Sequence, residues 1–191
     1  MRLSSDLVLA SGSPRRKSLL QEMGLEFRIQ TVPFEENFPS SMAATEVAGY
    51  LAKRKNEANR AALKKEIVLT ADTVVIVKDK ILGKPESKDE AIKVLEGLSD
   101  QIHQVTTGVC ISDPQKAVSF SCTTEVKFRV LDIEEIQHYV NKWTPFDKAG
   151  SYAIQEWIGL VGIEWIRGSY YNVVGLPTQP VYDSLKSNFS A

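Results

Sequence analysis

Short apolar runs punctuated by glycine and proline alternate with longer stretches of helical period along this 191-residue chain, an alternation that predicts a mixed α/β fold. Leu7 to Ala10 is apolar and ends at Ser-Gly-Ser-Pro, after which helical spacing runs from Arg15 to Met23. Ser13 is placed to cap that helix, with Pro14 at its first position. Phe27 to Val32 predicts a strand, Met42 to about Lys64 a long helix, and Ile67 to Val77 a β-branched strand buried on both faces. The chain turns at Lys78-Asp79-Lys80, and Ser87 to Leu98 reads as a helix with Ser87 and Glu90 forming a capping box. Gln104 to Ser112 and Ala117 to Val130 predict a hairpin joined by Asp113-Pro114-Gln115. Leu131 to Val140 predicts a helix introduced by Asp132, and strands with glycine turns should then lead to a last helix near Gln179 to Lys186. No internal repeat or linker interrupts the pattern, so residues 1–191 are read as one domain.

Composition narrows the function. With 23 Lys+Arg against 24 Asp+Glu the net charge is −1, which argues against a nucleic-acid or membrane-surface binder. The average hides an asymmetry, because residues 1–65 hold eleven basic and seven acidic residues, leaving twelve and seventeen for the rest. An excess of +4 in one third of the chain suits an anionic ligand. The N-terminal stretch MRLSSDLVLAS is too short an apolar segment for a signal peptide or span, and Cys110 and Cys122 lie in strand-like sequence, so a cytoplasmic protein with reduced thiols is expected. Only His103 and His138 accompany them, without zinc-binding spacing, so any metal should be a hard ion held by oxygen.

Several residues stand in unusual settings. Ala10-Ser-Gly-Ser-Pro-Arg-Arg16 carries a strand end through a flexible turn into a helix N-terminus, where free amides and the helix dipole favour an anion. Arg15 and Arg16 set two cations at the same positive end, which is unfavourable unless an anion binds. Neither a Walker A nor a Rossmann glycine spacing is present. On the long helix, at ~100° per residue and with Val47 at zero, Ala58 falls at about 20°, Leu51 at about 40°, Ala62 at about 60° and Ala48 at about 100°, so Lys55 at about 80° lies inside the apolar stripe. Asp72 interrupts a buried strand, where a carboxylate needs a cation, a metal or hydrogen-bond donors, or else closes a bulge or a strand-end turn. Thr73 beside it could donate to a ligand. Gly83-Lys84-Pro85 projects a lysine, Glu35 and Glu36 could ligate Mg²⁺ or be surface charge, and Gln155, closing Asp147-Lys-Ala-Gly-Ser-Tyr-Ala-Ile-Gln155, could read a base edge with one donor and one acceptor.

Taken in order, Ala10–Arg16, Ala71-Asp-Thr73, Gly83-Lys-Pro85, Asp147–Gln155 and Gly168-Ser-Tyr-Tyr-Asn-Val-Val-Gly-Leu-Pro177 resemble the Maf family of nucleoside triphosphate pyrophosphatases, and the likeness spans Leu7 to Leu185. The resemblance implies an α/β fold similar to inosine triphosphate pyrophosphatases, with a twisted mixed sheet flanked by helices and two lobes around a cleft. It implies hydrolysis of a nucleoside triphosphate to monophosphate and pyrophosphate with Mg²⁺ or Mn²⁺. By the same pattern Ser11, Arg16, Lys55 and Lys84 would contact the triphosphate, Glu36 and Asp72 would serve the metal, and Asp72 would accept the proton. Arg15, Thr73 and Gln155 match the branch acting on dTTP and UTP. The resemblance also implies a homodimer. Glu156 stands where that family usually has glycine, and the segment after it is bulky. Two other readings share these motifs: a nucleotidyltransferase, which would need a richer glycine loop, and a non-catalytic nucleotide-binding regulator of cell division.

Overall fold

The computed structural model describes residues 1–191. Its elements are β1 (Leu7–Leu9), α1 (Pro14–Glu22), β2 (Phe27–Ile29), α2 (Ala44–Arg60), β3 (Ile67–Val77), β4 (Lys80–Leu82), α3 (Lys88–Leu98), β5 (Ile102–Ser112), β6 (Ala117–Phe128), α4 (Ile133–Trp143), α5 (Trp157–Gly162), β7 (Ile163–Arg167), α6 (Tyr170–Val174) and α7 (Thr178–Phe189). The strands form one seven-stranded sheet in the order β2-β1-β3-β5-β6-β7, with β4 paired to β3. β1 is parallel to β2 and β3, whereas β3–β4 and β6–β7 are antiparallel, so the sheet is mixed as expected. The chain divides into two compact units, Met1–Asp72 with Thr107–Cys122 and Gly175–Ala191, and Thr73–Thr106 with Thr123–Val174.

In the first unit β1 pairs Leu7 with Ile67 and Leu9 with Leu69, leaving the strand fully buried. Ser13 caps α1 by accepting from the Arg16 N–H, with Pro14 at the first turn as the sequence predicts. α2 buries Val47, Ala48 and Leu51 of the apolar stripe read from the sequence, together with Ala52, whereas Ala58 is only half-buried and Ala62 lies exposed beyond the helix end. It ends at Arg60 rather than near Lys64. There the Arg60 guanidinium donates to Glu66 O at 2.8 Å and Ser112 O at 3.1 Å, with Leu63 O also accepting, which satisfies carbonyls in the turn to β3. β2 is likewise shorter than Phe27 to Val32, because the Val32 N–H leaves the ladder and donates to Asn59 Oδ1 at 3.2 Å.

The second unit differs more from expectation. Lys78 and Asp79 both take left-handed torsions (φ 47° and 62°), the hand of a two-residue hairpin connection, so the chain turn is followed by a strand, β4, that the sequence reading did not contain. Ser87 caps α3 by accepting from the Glu90 N–H, but the Glu90 carboxylate reaches the Glu86 N–H at 2.7 Å and not the cap's own amide, so the expected box closes one residue early. α4 starts two residues later than expected and runs to Trp143, stopped by Thr144 at φ 44°. The region expected to be strands and glycine turns holds one strand, β7, and the helices α5 and α6. α3, α4 and the segment 152–158 share a core of Leu95, Leu98, Phe128, Ile136, Tyr139 and Ile158.

Within that unit His103 is 1% exposed and shares a 2.7 Å hydrogen bond with the Tyr152 hydroxyl, while its Nδ1 has no partner. It stacks on Phe128 with ring centroids 5.6 Å apart. Burial pushes the imidazole down from 6.5 to about 4, so it is neutral in the folded protein. Between those two values the unfolded chain binds a proton the folded one refuses; this contribution is intact above pH 6.5 and lost as the pH falls toward 4. Denaturant titrations should therefore lose about 2 kcal/mol from this group between pH 7 and pH 5. His103→Gln, which cannot titrate, should show a correspondingly shallower pH slope.

Candidate active site

β1 delivers Ser11 to the turn before α1, and the structure ties this turn to the arginine beyond it. Ser11 Oγ accepts from Arg16 Nη1 at 3.1 Å and from the Ser13 N–H at 3.3 Å, while Arg16 Nε donates to Gly175 O at 2.9 Å. The guanidinium is thereby held on two sides. Burial lowers its pKa, opposed by the carboxylates of Asp72 and Glu36 and reinforced by Arg15. Arg15 sits beside it on the first turn of α1, partly exposed. A Cβ on Gly12 would meet nothing within 4 Å, and Gly12 has no left-handed torsion. Neither local crowding nor backbone strain requires glycine here; what the missing side chain leaves is backbone open to a close approach.

Lys55 stands at the centre of the charged cluster. Its ammonium donates to Asp72 Oδ1 at 2.5 Å and to Glu36 Oε1 at 2.7 Å. The lysine and aspartate side chains are only 16% and 12% exposed, Glu36 54%. Asp72 is thus neither a bulge nor a strand-end turn: it lies within β3 and is held by a cation. Burial raises its pKa above the usual carboxylate range, Lys55 and Arg16 oppose that rise, and Glu36 adds to it. Of the two adjacent glutamates, Glu36 meets Lys55, whereas Glu35 accepts from Asn37 Nδ2 at 3.0 Å.

Two asparagines that the sequence reading passed over place this lysine. Asn59 Nδ2 donates to Lys55 O at 2.8 Å while its Oδ1 accepts from the Val32 N–H, linking α2 to the segment that leads to Glu36. Asn56 Nδ2 donates to Val68 O and Cys110 O at 3.0 and 3.2 Å, and its Oδ1 accepts from Ser112 Oγ at 2.6 Å. Both are 3% exposed. The available signal was two residues of poor helix propensity within one long amphipathic helix, one and four residues after the lysine of interest.

Ser11, Arg15, Arg16, Glu36, Lys55 and Asp72 all belong to the first unit, and Thr73, Lys84 and Gln155 to the second. Thr73 follows Asp72 on β3 and is partly buried. Lys84 is exposed after β4, where Gly83 O accepts from the Gly150 N–H at 3.1 Å. Gln155 is exposed on the turn before α5. No three of the chain's His, Cys, Asp and Glu side chains group as a metal cage.

The basic turn at the start of α1 and the buried carboxylate paired with Lys55 both lie within a stretch that matches one sequence family. The family described as Maf-like protein matches residues 6–188. This chain belongs to the Maf-like family. A Maf-like relative from Parabacteroides distasonis, named dTTP/UTP pyrophosphatase, is 46% identical over 182 residues, covering 94% of each chain. Another from Bacteroides thetaiotaomicron, carrying the same name, is 43% identical over 182 residues with the same coverage. Among solved structures, a HAM1 protein from Coxiella burnetii is similar at 20% identity over 65% of this chain and 73% of that one, with a TM-score of 0.44. The α/β class of this Maf-like chain rests on its own strand order. No helix is long and apolar enough to cross a membrane, and both cysteines are free.

Proposed function

We propose that this chain is a dTTP/UTP pyrophosphatase, converting the nucleoside triphosphate and water to the monophosphate and pyrophosphate. The observation that carries the reading is the Asp72–Lys55–Glu36 cluster, a raised-pKa carboxylate held by a cation beside a helix N-terminus with two arginines. Membership of the Maf-like family and the names of its relatives supply the substrate class.

In the proposed step a water oxygen bonds to the α-phosphorus as the bond from that phosphorus to the bridging oxygen breaks. Pyrophosphate leaves with the bridging oxygen, and Asp72 takes the water proton. Arg16, Lys55 and Lys84 bind the phosphate oxygens and stabilise the charge that grows on the leaving group. Ser11 and the amides at the α1 N-terminus orient the triphosphate. Arg15, Thr73 and Gln155 select the pyrimidine, Gln155 offering a donor and an acceptor to its edge.

Glu36 and Asp72 also fit a divalent ion. Their oxygens already converge on one positive charge, the Lys55 ammonium, and two carboxylates without a closed cage suit Mg²⁺ or Mn²⁺, which keeps water and substrate oxygens in its other positions. When bound, such an ion would neutralise phosphate charge and lower the pKa of water. Homodimeric assembly and a cytoplasmic location belong to the same proposal.

Pyrophosphate release measured across canonical and modified nucleotides with Mg²⁺ tests it. Turnover should be greatest for dTTP and UTP. Release that needs an added acceptor would point to a nucleotidyltransferase, and binding with no release under any condition to a non-catalytic regulator.

A further inference from the structure

Glu156 sits beside Gln155 and closes a polar ring around the turn that carries it. The Ala153 N–H donates to the Tyr139 hydroxyl oxygen at 3.3 Å, that hydroxyl donates to Glu156 Oε2, and the Glu156 N–H donates to Ala153 O at 3.0 Å. Glu156 Oε1 lies 3.3 Å from Lys148 Nζ, whose other carboxylate partner is Asp147 Oδ1 at 2.7 Å. The anchors are buried: Tyr139 is 0% exposed and the Lys148 side chain 9%. Both ends of the turn 153–156 are therefore pinned to one tyrosine on α4. Ala153 and Ile154 are buried and Glu156 partly so, which leaves Gln155 as the one exposed side chain of the four. Burial and the neighbouring Glu156 raise the Tyr139 pKa, so its hydroxyl keeps its proton and remains the donor.

We propose that Glu156, through Tyr139 and Lys148, is a positioning residue that holds Gln155 in the orientation needed to recognise the pyrimidine, an inference that rests on the reading of Gln155 given above. An exposed glutamine on a loose turn would have to order its backbone and side chain on binding each nucleotide. A pinned turn removes the backbone share of that cost in advance. Only substrate recognition, and not phosphate chemistry, should then depend on Glu156.

The test is a double-mutant cycle on the full chain, with dTTP and dATP as substrates and thermal unfolding as a check that each variant folds. Gln155→Ala and Glu156→Ala should each raise KM for dTTP about tenfold, the loss expected for one hydrogen bond, with a much smaller change in kcat and in dATP turnover. Combining them should add nothing beyond Gln155→Ala alone. Glu156→Gln keeps an oxygen for the Tyr139 hydroxyl and should stay within about threefold of the parent. If Glu156→Ala does not fold, Tyr139→Phe takes its place in the cycle under the same criteria. Full additivity, or a Glu156→Ala variant with parental KM beside an impaired Gln155→Ala, overturns the inference while leaving the role of Gln155 standing. Parental KM and selectivity in Gln155→Ala overturns both.

Discussion

Asp72→Asn should reduce pyrophosphate release from dTTP about a thousandfold, within the range for loss of a general base. The substitution changes almost no volume, so its effect isolates charge and proton affinity. Asparagine can still accept from Lys55 through its amide oxygen, and the ammonium retains Glu36 at 2.7 Å. The lysine is therefore not stranded, and unfolding should shift by about 1 kcal/mol, far less than when a buried ion pair loses its only partner. Nucleotide affinity should persist, because Ser11, Arg16 and the start of α1 are unaltered. Glu35→Gln is the matched control: Glu35 lies one residue from Glu36 but accepts from Asn37, so its neutralisation should change turnover by less than about twofold. The measurement is single-turnover pyrophosphate release at saturating nucleotide, with binding followed separately. Near-parental turnover in Asp72→Asn would remove this carboxylate from the mechanism.

The contrast between the two glutamates also shows where sequence reasoning ends. On α2 a fixed rotation per residue assigns Lys55 to the apolar stripe, and the structure finds it 16% exposed and ion-paired. β3 carries an equally plain signal, since Ile67 to Val77 is nearly all β-branched and its bounds match the observed strand. Glu35 and Glu36 lie in irregular chain, where no period says which side chain turns inward; that orientation is set by Asn37 and Lys55. Asn56 and Asn59 were missed for a different reason. A polar residue in a helix usually marks the solvated face, and only tertiary structure supplies Val68 O, Cys110 O and the Val32 N–H as their partners. Glycine misled in the segment 157–174. Read there as turn punctuation, Gly159 and Gly162 instead sit in α5, where their lack of Cβ permits close packing: a Cβ on Gly159 would lie 1.9 Å from Ile154 O.

Gly108→Ala should destabilise the protein by about 3 kcal/mol or more, a fall in Tm of about 10 °C, because the new methyl has nowhere to go. A Cβ there would lie 2.3 Å from Ala48 O and 2.4 Å from the Gly49 N. Those atoms are backbone of α2, so no side-chain rotation relieves the clash, and the helix must lift off β5. The neighbouring Gly49 is similarly crowded, its Cβ position being 2.8 Å from Ser121 Oγ. α2 is thus seated at its N-terminal half by close backbone approach and further along by Asn56. Lys55 lies seven residues beyond Ala48, about two turns along the same rigid rod. A tilt at Gly108 is therefore carried to the ammonium and its 2.5 Å contact with Asp72, so activity should fall even at temperatures where the variant remains folded. Gly97→Ala supplies the opposite sign. Gly97 is in α3 with nothing within 4 Å of its Cβ position, so alanine there should stabilise by about 0.5–1 kcal/mol through helix propensity. Urea titrations of the two variants with parallel activity assays decide the point; equal stability for Gly108→Ala and Gly97→Ala would mean that α2 can move off β5 at little cost, and that Lys55 is held by its ion pairs alone.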